Sequence, residues 1–413
     1  MSALVPTDVR VPVNILSQHF ADHKAETYRW LLENAPVSEG RAGFYPIWLV
    51  ARYEDCAAML TDARFVRDRA TFGARSWWSS LTPRPLWLAM DSMIHRDDPA
   101  HRRLRGFVNR AFTPKAIASL APRAERLTDA LLDGLAERGA GGQPVDLLQH
   151  FALPIPVRII GEVLGMEPED MPRFLATARA LTEGLAGLRI VRTVAWDLPR
   201  AVRFVEGVIA RKRSHPGDDV LSTLIRLEED GDRLTTDELV SMIFLLVLAG
   251  YETTVHLITC AVVTLLDHPE ALAQVRDDPE RLPAALEEVV RCVGPVHGTE
   301  RMFVQEDVTL HGVTLPKGAM VFPLLGAANR DPRAFDDPEV FDIARSPNRH
   351  LGFGRGAHYC LGAHLARLEA RIAVGKLLAR FPDLRLAVPA QSLRIANVPL
   401  MHRFKEVPVV VGS

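Results

Sequence analysis

Apolar residues recur three and four positions apart over much of this chain, the spacing that gives a helix one buried face. The pattern predicts amphipathic helices over 123–138, 154–165, 200–213, 281–292 and 361–381. A longer one runs over 236–266, where Thr235 and Glu238 have capping-box spacing and Pro269 marks the stop. Strand-like pieces are rarer. They fall at 44–51, at 307–310 with 319–323 around His311-Gly312, and at 405–411, with Gly and Pro punctuation that predicts hairpins. The fold class expected is mainly α with small antiparallel β-sheets. The stretch 329–355 is rich in Pro, Asp and Arg and has little periodicity, which points to a functional or tightly packed irregular segment.

The 236–266 segment raises the question of a membrane span, because Glu252 is its only charged side chain between Ser241 and Leu266. Gly250, Tyr251, Glu252, Thr253, Thr254 and His256 cluster at its middle, where a bilayer tolerates polar groups least. A buried central helix with a functional kink explains them better. Residues 1–25 hold no basic-then-apolar stretch with a small-residue cleavage site, so no signal peptide is expected.

Composition changes the picture only at its edges. A formal charge of −2 over 413 residues offers no electrostatic footprint for nucleic acid. The four cysteines, Cys56, Cys260, Cys292 and Cys360, are too widely spaced for a zinc site or a disulfide framework, and fit a reduced cytoplasmic setting.

The sharpest chemical signal is Phe353-Gly-Arg-Gly-Ala-His358-Tyr-Cys360-Leu-Gly362, followed at once by a helical pattern. Glycines around one cysteine let the backbone turn tightly and approach a planar ligand. Turn amides and the positive end of the next helix favour a thiolate. A buried core cysteine explains neither the glycines nor His358. The stretch resembles the haem-binding loop of the cytochrome P-450 superfamily, F-G-x-G-x-[HR]-x-C-x-G, at every fixed position, and is most similar to its soluble bacterial class. The resemblance spans nearly the whole chain from about residue 20. It implies one cytochrome P-450 domain over 1–413, with a β-containing part at about 20–70, a helical core at about 71–300 and the haem-binding loop at 353–362. Cys360 is then the axial ligand of the iron of haem b.

Three further motifs carry the resemblance. Ala249-Gly250-Tyr251-Glu252-Thr253 is similar to the family's oxygen-activation signature, although Tyr251 stands where His is frequent. It implies small Ala249 and Gly250 beside the haem, and Glu252 and Thr253 as the acid–alcohol pair that delivers protons. Glu288-Val-Val-Arg291 alone is an ordinary helical ion pair. In family context it resembles a structural E-x-x-R motif whose third partner is Arg345. His101-Arg-Arg-Leu-Arg105 resembles the H-x-x-x-R helix, here preceded by Asp-Asp-Pro, and implies that His101 and Arg105 hold a haem propionate, with Arg301 and His358 completing the set. Arg102 and Arg103 are expected to face solvent. With Arg110, Arg355 and Arg367 they form a candidate basic surface for an acidic electron carrier.

Family analogy places the substrate among Trp87, Met93, Leu245, Leu248, Val296 and Leu400. The analogy covers five wider segments, 72–94, 182–196, the central helix, 296–298 and 399–401, and the named residues come from all but 182–196. That mixture of apolar and aromatic side chains suits a lipophilic terpenoid, steroid or polyketide-like molecule from secondary metabolism. The implied activity is a monooxygenase hydroxylating or epoxidising such a substrate with dioxygen and electrons from ferredoxin and ferredoxin reductase. An oxidase coupling aryl or phenol rings and a non-catalytic haem sensor are the alternatives; a sensor does not need Glu252 and Thr253.

Overall fold

The computed structural model describes residues 9–68, 82–183, 189–229 and 232–412. Seven helices build and flank the site: α1 Ala100–Ala111, α2 Ala121–Arg138, α3 Pro154–Val163, α4 Leu198–Ser214, α5 Thr236–Asp267, α6 Leu282–Val293 and α7 Ala363–Arg380. Apolar periodicity predicts all but α1 to within a few residues at each end.

Helix α5 is the axis of the molecule. Its 32 residues span about 48 Å at 1.5 Å each. It starts where expected: the Glu238 amide donates to the Thr235 hydroxyl at 3.2 Å, and the Glu238 carboxylate accepts from the Thr235 amide at 2.8 Å. It stops at His268, because Pro269 opens the next helix. Helices α2, α3, α6 and α7 assemble around it: α3, α6 and α7 pack on α5 directly, and α2 packs on α7. The helix is long and apolar enough to cross a membrane, yet 67% of its most apolar window is buried inside the protein. Here it is a core helix.

The main sheet has six strands in the order Val13–Asn14, Val37–Ala42, Tyr45–Val50, Met320–Pro323, Met302–Val304, Phe65–Val66. Its first and third pairings are parallel and the rest antiparallel, so the sheet is mixed rather than purely antiparallel. The hairpin expected between 307–310 and 319–323 is different in register. Val308–Leu310 pairs with Val313–Leu315 across the His311-Gly312 turn, and Met320–Pro323 joins the large sheet beside Tyr45–Val50. Both turn residues have positive φ, which makes a two-residue hairpin loop. The C-terminal strand Pro408–Val410 lies between Arg385–Leu386 and Val145–Asp146.

Candidate functional site

The cysteine loop is shaped by glycine. Gly354 and Gly356 sit at φ 70° and 71°, a region that penalises a side chain. A Cβ on Gly356 would lie 2.7 Å from the Leu60 carbonyl oxygen. The loop closes when the Cys360 amide donates to the Phe353 carbonyl at 2.8 Å, and α7 begins three residues later. Burial pushes the Cys360 thiol upward; the Gly362 and Ala363 amides and the Arg105 and Arg367 guanidinium groups pull it back toward the thiolate. Cys56, Cys260 and Cys292 are also free thiols but buried, and Cys360 alone of the four is partly exposed.

Two residues brace this loop in ways the sequence does not announce. Arg367, expected on a basic surface, instead stacks its guanidinium 4.2 Å from the Phe353 ring centroid and makes two hydrogen bonds to Glu287, at 2.6 and 2.8 Å. His350 contacts the same carboxylate at 3.0 Å. Burial opposes ionisation of Glu287, but these partners overcome it and hold the carboxyl at about 2. The E-x-x-R spacing singles out Glu288 and passes over Glu287. No local pattern reveals a partner 80 residues away.

Glu288, Arg291 and Arg345 come together as the motif implies. Arg291 forms a forked pair with Glu288 at 2.7 and 2.8 Å, and both side chains are buried. Arg345 reaches the same carboxylate at 3.1 Å and Asn348 at 3.0 Å. Arg291 also donates to the carbonyls of Asn329, Pro338 and Val340, and Arg345 to those of Asp336 and Asp337. The irregular 329–355 stretch therefore spends backbone acceptors on two guanidinium groups, one buried and one partly buried, instead of a sheet or helix.

Next to the cysteine loop lies a cluster of cations. The His101 and His358 rings are 4.0 Å apart. Arg105 donates to the Tyr359 carbonyl at 2.8 Å and to Asn109 at 3.1 Å. Arg67, which belongs to no motif in the sequence, joins them. Its amide and that of Asp68 are held by Asp97, and its guanidinium is buried. The register of Phe65–Val66 against Met302–Val304 carries Arg67 to the end of the sheet where Arg301 precedes Met302. Burial and mutual repulsion push His358 down to about 2 and lower His101, and burial lowers Arg67 and Arg105; Glu300 and Asp97 compensate part of the charge at Arg67. The Nε2 of His101 and the Nε of Arg67 are buried with no hydrogen-bond partner. A buried, incompletely neutralised Arg67 and a partly buried Arg105, beside imidazoles kept neutral by burial and one of them with an unpartnered nitrogen, fit a dianionic group such as the two haem propionates.

On α5, Leu248 and Ala249 are exposed in the middle of a helix that is otherwise mostly buried. The Thr253 hydroxyl donates to the Ala249 carbonyl at 2.7 Å and the Thr254 hydroxyl to Gly250 at 3.0 Å, side-chain bonds that loosen and bend a helix. Glu252 forms an ion pair with Arg403, a residue that no sequence motif marks. His256 lies one turn beyond Glu252, is buried, and lines the same cavity as Glu252 and Arg403.

The substrate residues scatter. Leu245 is half-buried and Leu248 exposed on α5. Trp87 and Met93 line a cavity of about 170 Å³ rimmed by the charged side chains of Asp91, Arg96, Arg103, Asp237 and Glu238. Val296 is half-buried, in a β-bridge with Met401. Leu400 is a correction: it packs into the N-terminal core with Tyr28, Leu31, Leu324 and Ala327, and its side chain fills the space above Gly298. His297, which follows Val296, is buried as well, 3.1 Å from the Tyr28 hydroxyl. Arg103 is a second correction. It is not a solvated surface residue but bonds Asp232 at 2.8 Å and pairs with Glu238 at the start of α5. Trp77 and Trp78, within the 72–94 segment, and 184–188, within 182–196, lie outside the described residues.

Comparison with known proteins identifies the family and the fold. The Cytochrome P450 family model matches residues 201–382. Cytochrome P450 107B1 of Saccharopolyspora erythraea is 42% identical, over 89% of this chain and 89% of its own. Mycinamicin IV hydroxylase/epoxidase of Micromonospora griseorubida is 39% identical over 94% and 95%. The structure of the Bacillus subtilis bacillaene polyketide synthase cytochrome P450 PksS superposes with a TM-score of 0.89 and 34% identity, covering 97% of this chain and all of that one. The chain belongs to the cytochrome P-450 family and is a haem b monooxygenase, taking electrons from a redox partner.

Proposed function

We propose that Cys360 is the thiolate ligand of the haem iron and that the enzyme hydroxylates or epoxidises a lipophilic, polyketide-like molecule. Thiolate-ligated haem supplies dioxygen activation, with the sulfur's electron push assisting O–O cleavage. The protein's own part begins with the propionates, for which Arg105 and Arg301, joined by Arg67, provide charge and His101 and His358 provide ring nitrogens as hydrogen-bonding groups. Ala249 leaves room beside the haem face. Thr253 orients a hydroxyl there and Glu252 relays protons to it. Glu288, Arg291 and Arg345, with Glu287 and Arg367, keep the cysteine loop in place. The whole chain is read as one cytochrome P-450 domain.

The observation that carries the reading is the partly exposed thiol in a glycine-shaped loop, flanked by a basic cluster in which a buried arginine nitrogen and a buried imidazole nitrogen lack partners. The substrate class is supported by the relatives' names, one a macrolide hydroxylase/epoxidase and one a polyketide enzyme. Electrons are assigned to a ferredoxin and its reductase. Arg102, 80% exposed, and the exposed Arg110 and Arg355 are the candidate contacts. The test is turnover with ferredoxin, reductase and NAD(P)H against a panel of macrolide, steroid and terpenoid compounds. The expected result is a product one oxygen heavier from a macrolide or linear polyketide. Turnover confined to steroids or terpenoids would overturn the substrate class.

A further inference from the structure

The segments 295–298 and 400–402 are zipped into a short two-stranded ladder. Val296 and Met401 face each other in an antiparallel bridge. The His297 amide donates to the Leu400 carbonyl at 2.8 Å and the His402 amide to the Pro295 carbonyl at 2.9 Å. Side chains alternate across such a ladder. Leu400 and His297 point into the N-terminal core, and the His402 ring stacks on that of His297 at 5.8 Å. Val296 and Met401 therefore share the other side, and both are half-buried.

One cation holds this ladder from behind. Lys24 opens the N-terminal helix Lys24–Asn34, is 6% exposed, and donates from Nζ to the Met401 carbonyl. One turn further along the same helix, the Tyr28 hydroxyl meets the His297 Nδ1 at 3.1 Å. Successive turns of one helix thus grip the two strands. There is no slack around them. A Cβ on Gly298 would lie 2.5 Å from Leu400 Cδ1, and one on Gly326 2.8 Å from both the His297 ring and Tyr28. Leu400 has φ 50°, a left-handed backbone that a leucine keeps only when its surroundings enforce it. Burying an ammonium costs more than burying a methionine of similar length, so packing alone does not explain a lysine here.

We infer that Lys24 is a positioning residue for the substrate, whose bond to the Met401 carbonyl sets the face that Val296 and Met401 turn away from the N-terminal core. From Val296 the chain runs on to Arg301, assigned to a haem propionate, which puts this face beside the haem. The inference rests on the reading of the chain as a monooxygenase of a lipophilic molecule.

Its consequence is a pH-sensitive wall. Burial lowers the Lys24 amine to about 8, against the opposing pull of Asp22 and Cys260. Burial also keeps Tyr28 and Cys260 protonated, the thiol at about 12, and the His297 and His402 rings neutral, His402 at about 3. Arg330 adds a positive charge behind the two rings. Lys24 is thus the group of this cluster that changes charge near pH 8. Below that value its bond to the carbonyl is charge-assisted, and above it a neutral amine makes a weaker one. Affinity for a ligand resting on Val296 and Met401 falls as pH rises through about 8.

Three variants test the inference, Lys24→Met, Lys24→Arg and Tyr28→Phe, each read with two azoles that ligate haem iron. Clotrimazole carries aryl rings to the wall, whereas imidazole ligates the iron without reaching it. The ratio of the clotrimazole Kd to the imidazole Kd, each counted on its neutral base, isolates the wall from the iron and from haem content. In the parent this ratio should rise roughly tenfold as pH rises through about 8. K24M should sit at the parent's high-pH value throughout, and K24R, which keeps its charge, at the low-pH value. Y28F should raise the ratio and keep the pH slope. A flat ratio in the parent overturns the inference without any variant. If K24M follows the parent's ratio and lowers only the melting temperature, Lys24 serves stability alone and the inference falls. If neither azole perturbs the parent's spectrum, the haem reading itself fails and takes this one with it.

Discussion

Arg105 donates a hydrogen bond to the carbonyl of Tyr359 at 2.8 Å, joining α1 to the residue beside Cys360 across 254 positions of sequence. One guanidinium thus touches the cysteine loop and belongs to the cation cluster assigned to the propionates. Replacing Arg105 with Ala removes a charge-assisted bond worth about 1.5–3 kcal/mol. Haem affinity should fall roughly ten- to hundredfold, read as the haem-to-protein ratio after purification and as the rate of haem transfer to an acceptor. R105K should recover part of it, because a lysine keeps the charge and loses the fork.

Arg291 is among the largest fully buried side chains, and its removal strands the Glu288 carboxylate in the interior. R291A should cost about 3–5 kcal/mol, measured by urea denaturation of the haem-loaded protein. R345A should cost less, because Arg291 keeps Glu288 paired. Equal losses would mean that the three residues act only as one unit.

Glu369 on α7 makes a pH-dependent prediction. It is 2% exposed, one of its oxygens lacks a partner, and burial pushes its carboxyl from 4.5 to about 8. A raised folded value means that its contribution is intact below about 4.5 and is lost as pH rises toward 8. Over that window the unfolded chain ionises freely and the folded one does not. Glu369→Gln should therefore match the parent near pH 4.5 and exceed it increasingly up to pH 8, by on the order of a few kcal/mol. Melting temperatures across that range check it; parallel curves would contradict it.

Gly356 has no room for a side chain. Gly356→Ala adds a Cβ against the Leu60 carbonyl at φ 71°, costing roughly 1–3 kcal/mol and displacing the loop. Its haem content should drop while a comparable change at the exposed Gly141, where a Cβ would meet nothing within 4 Å, leaves haem content unchanged.

Legibility in the sequence falls with the distance between partners. The capping box of α5 joins residues three apart, and its chemistry is readable directly. So is Glu288–Arg291, at the same spacing. The His311-Gly312 turn is readable, but its partner strand is not, because register depends on which residues the large sheet claims. Arg67, Glu287 with Arg367, and Arg403 with Glu252 escape a sequence reading because their partners lie 30 to 151 positions away. Leu400 misleads for a related reason: an apolar residue near a pocket wall reads the same whether it points into the pocket or, as here, into the N-terminal core.

Cys360 as the haem ligand is tested most directly by the absorption spectrum of the ferrous–carbon monoxide complex of the parent and of Cys360→His. The parent should give the red-shifted Soret band of a thiolate-ligated haem, and C360H should bind haem but give the band of a histidine-ligated one. A parent spectrum without the red-shifted band, or a C360H spectrum that keeps it, would contradict Cys360 as the ligand.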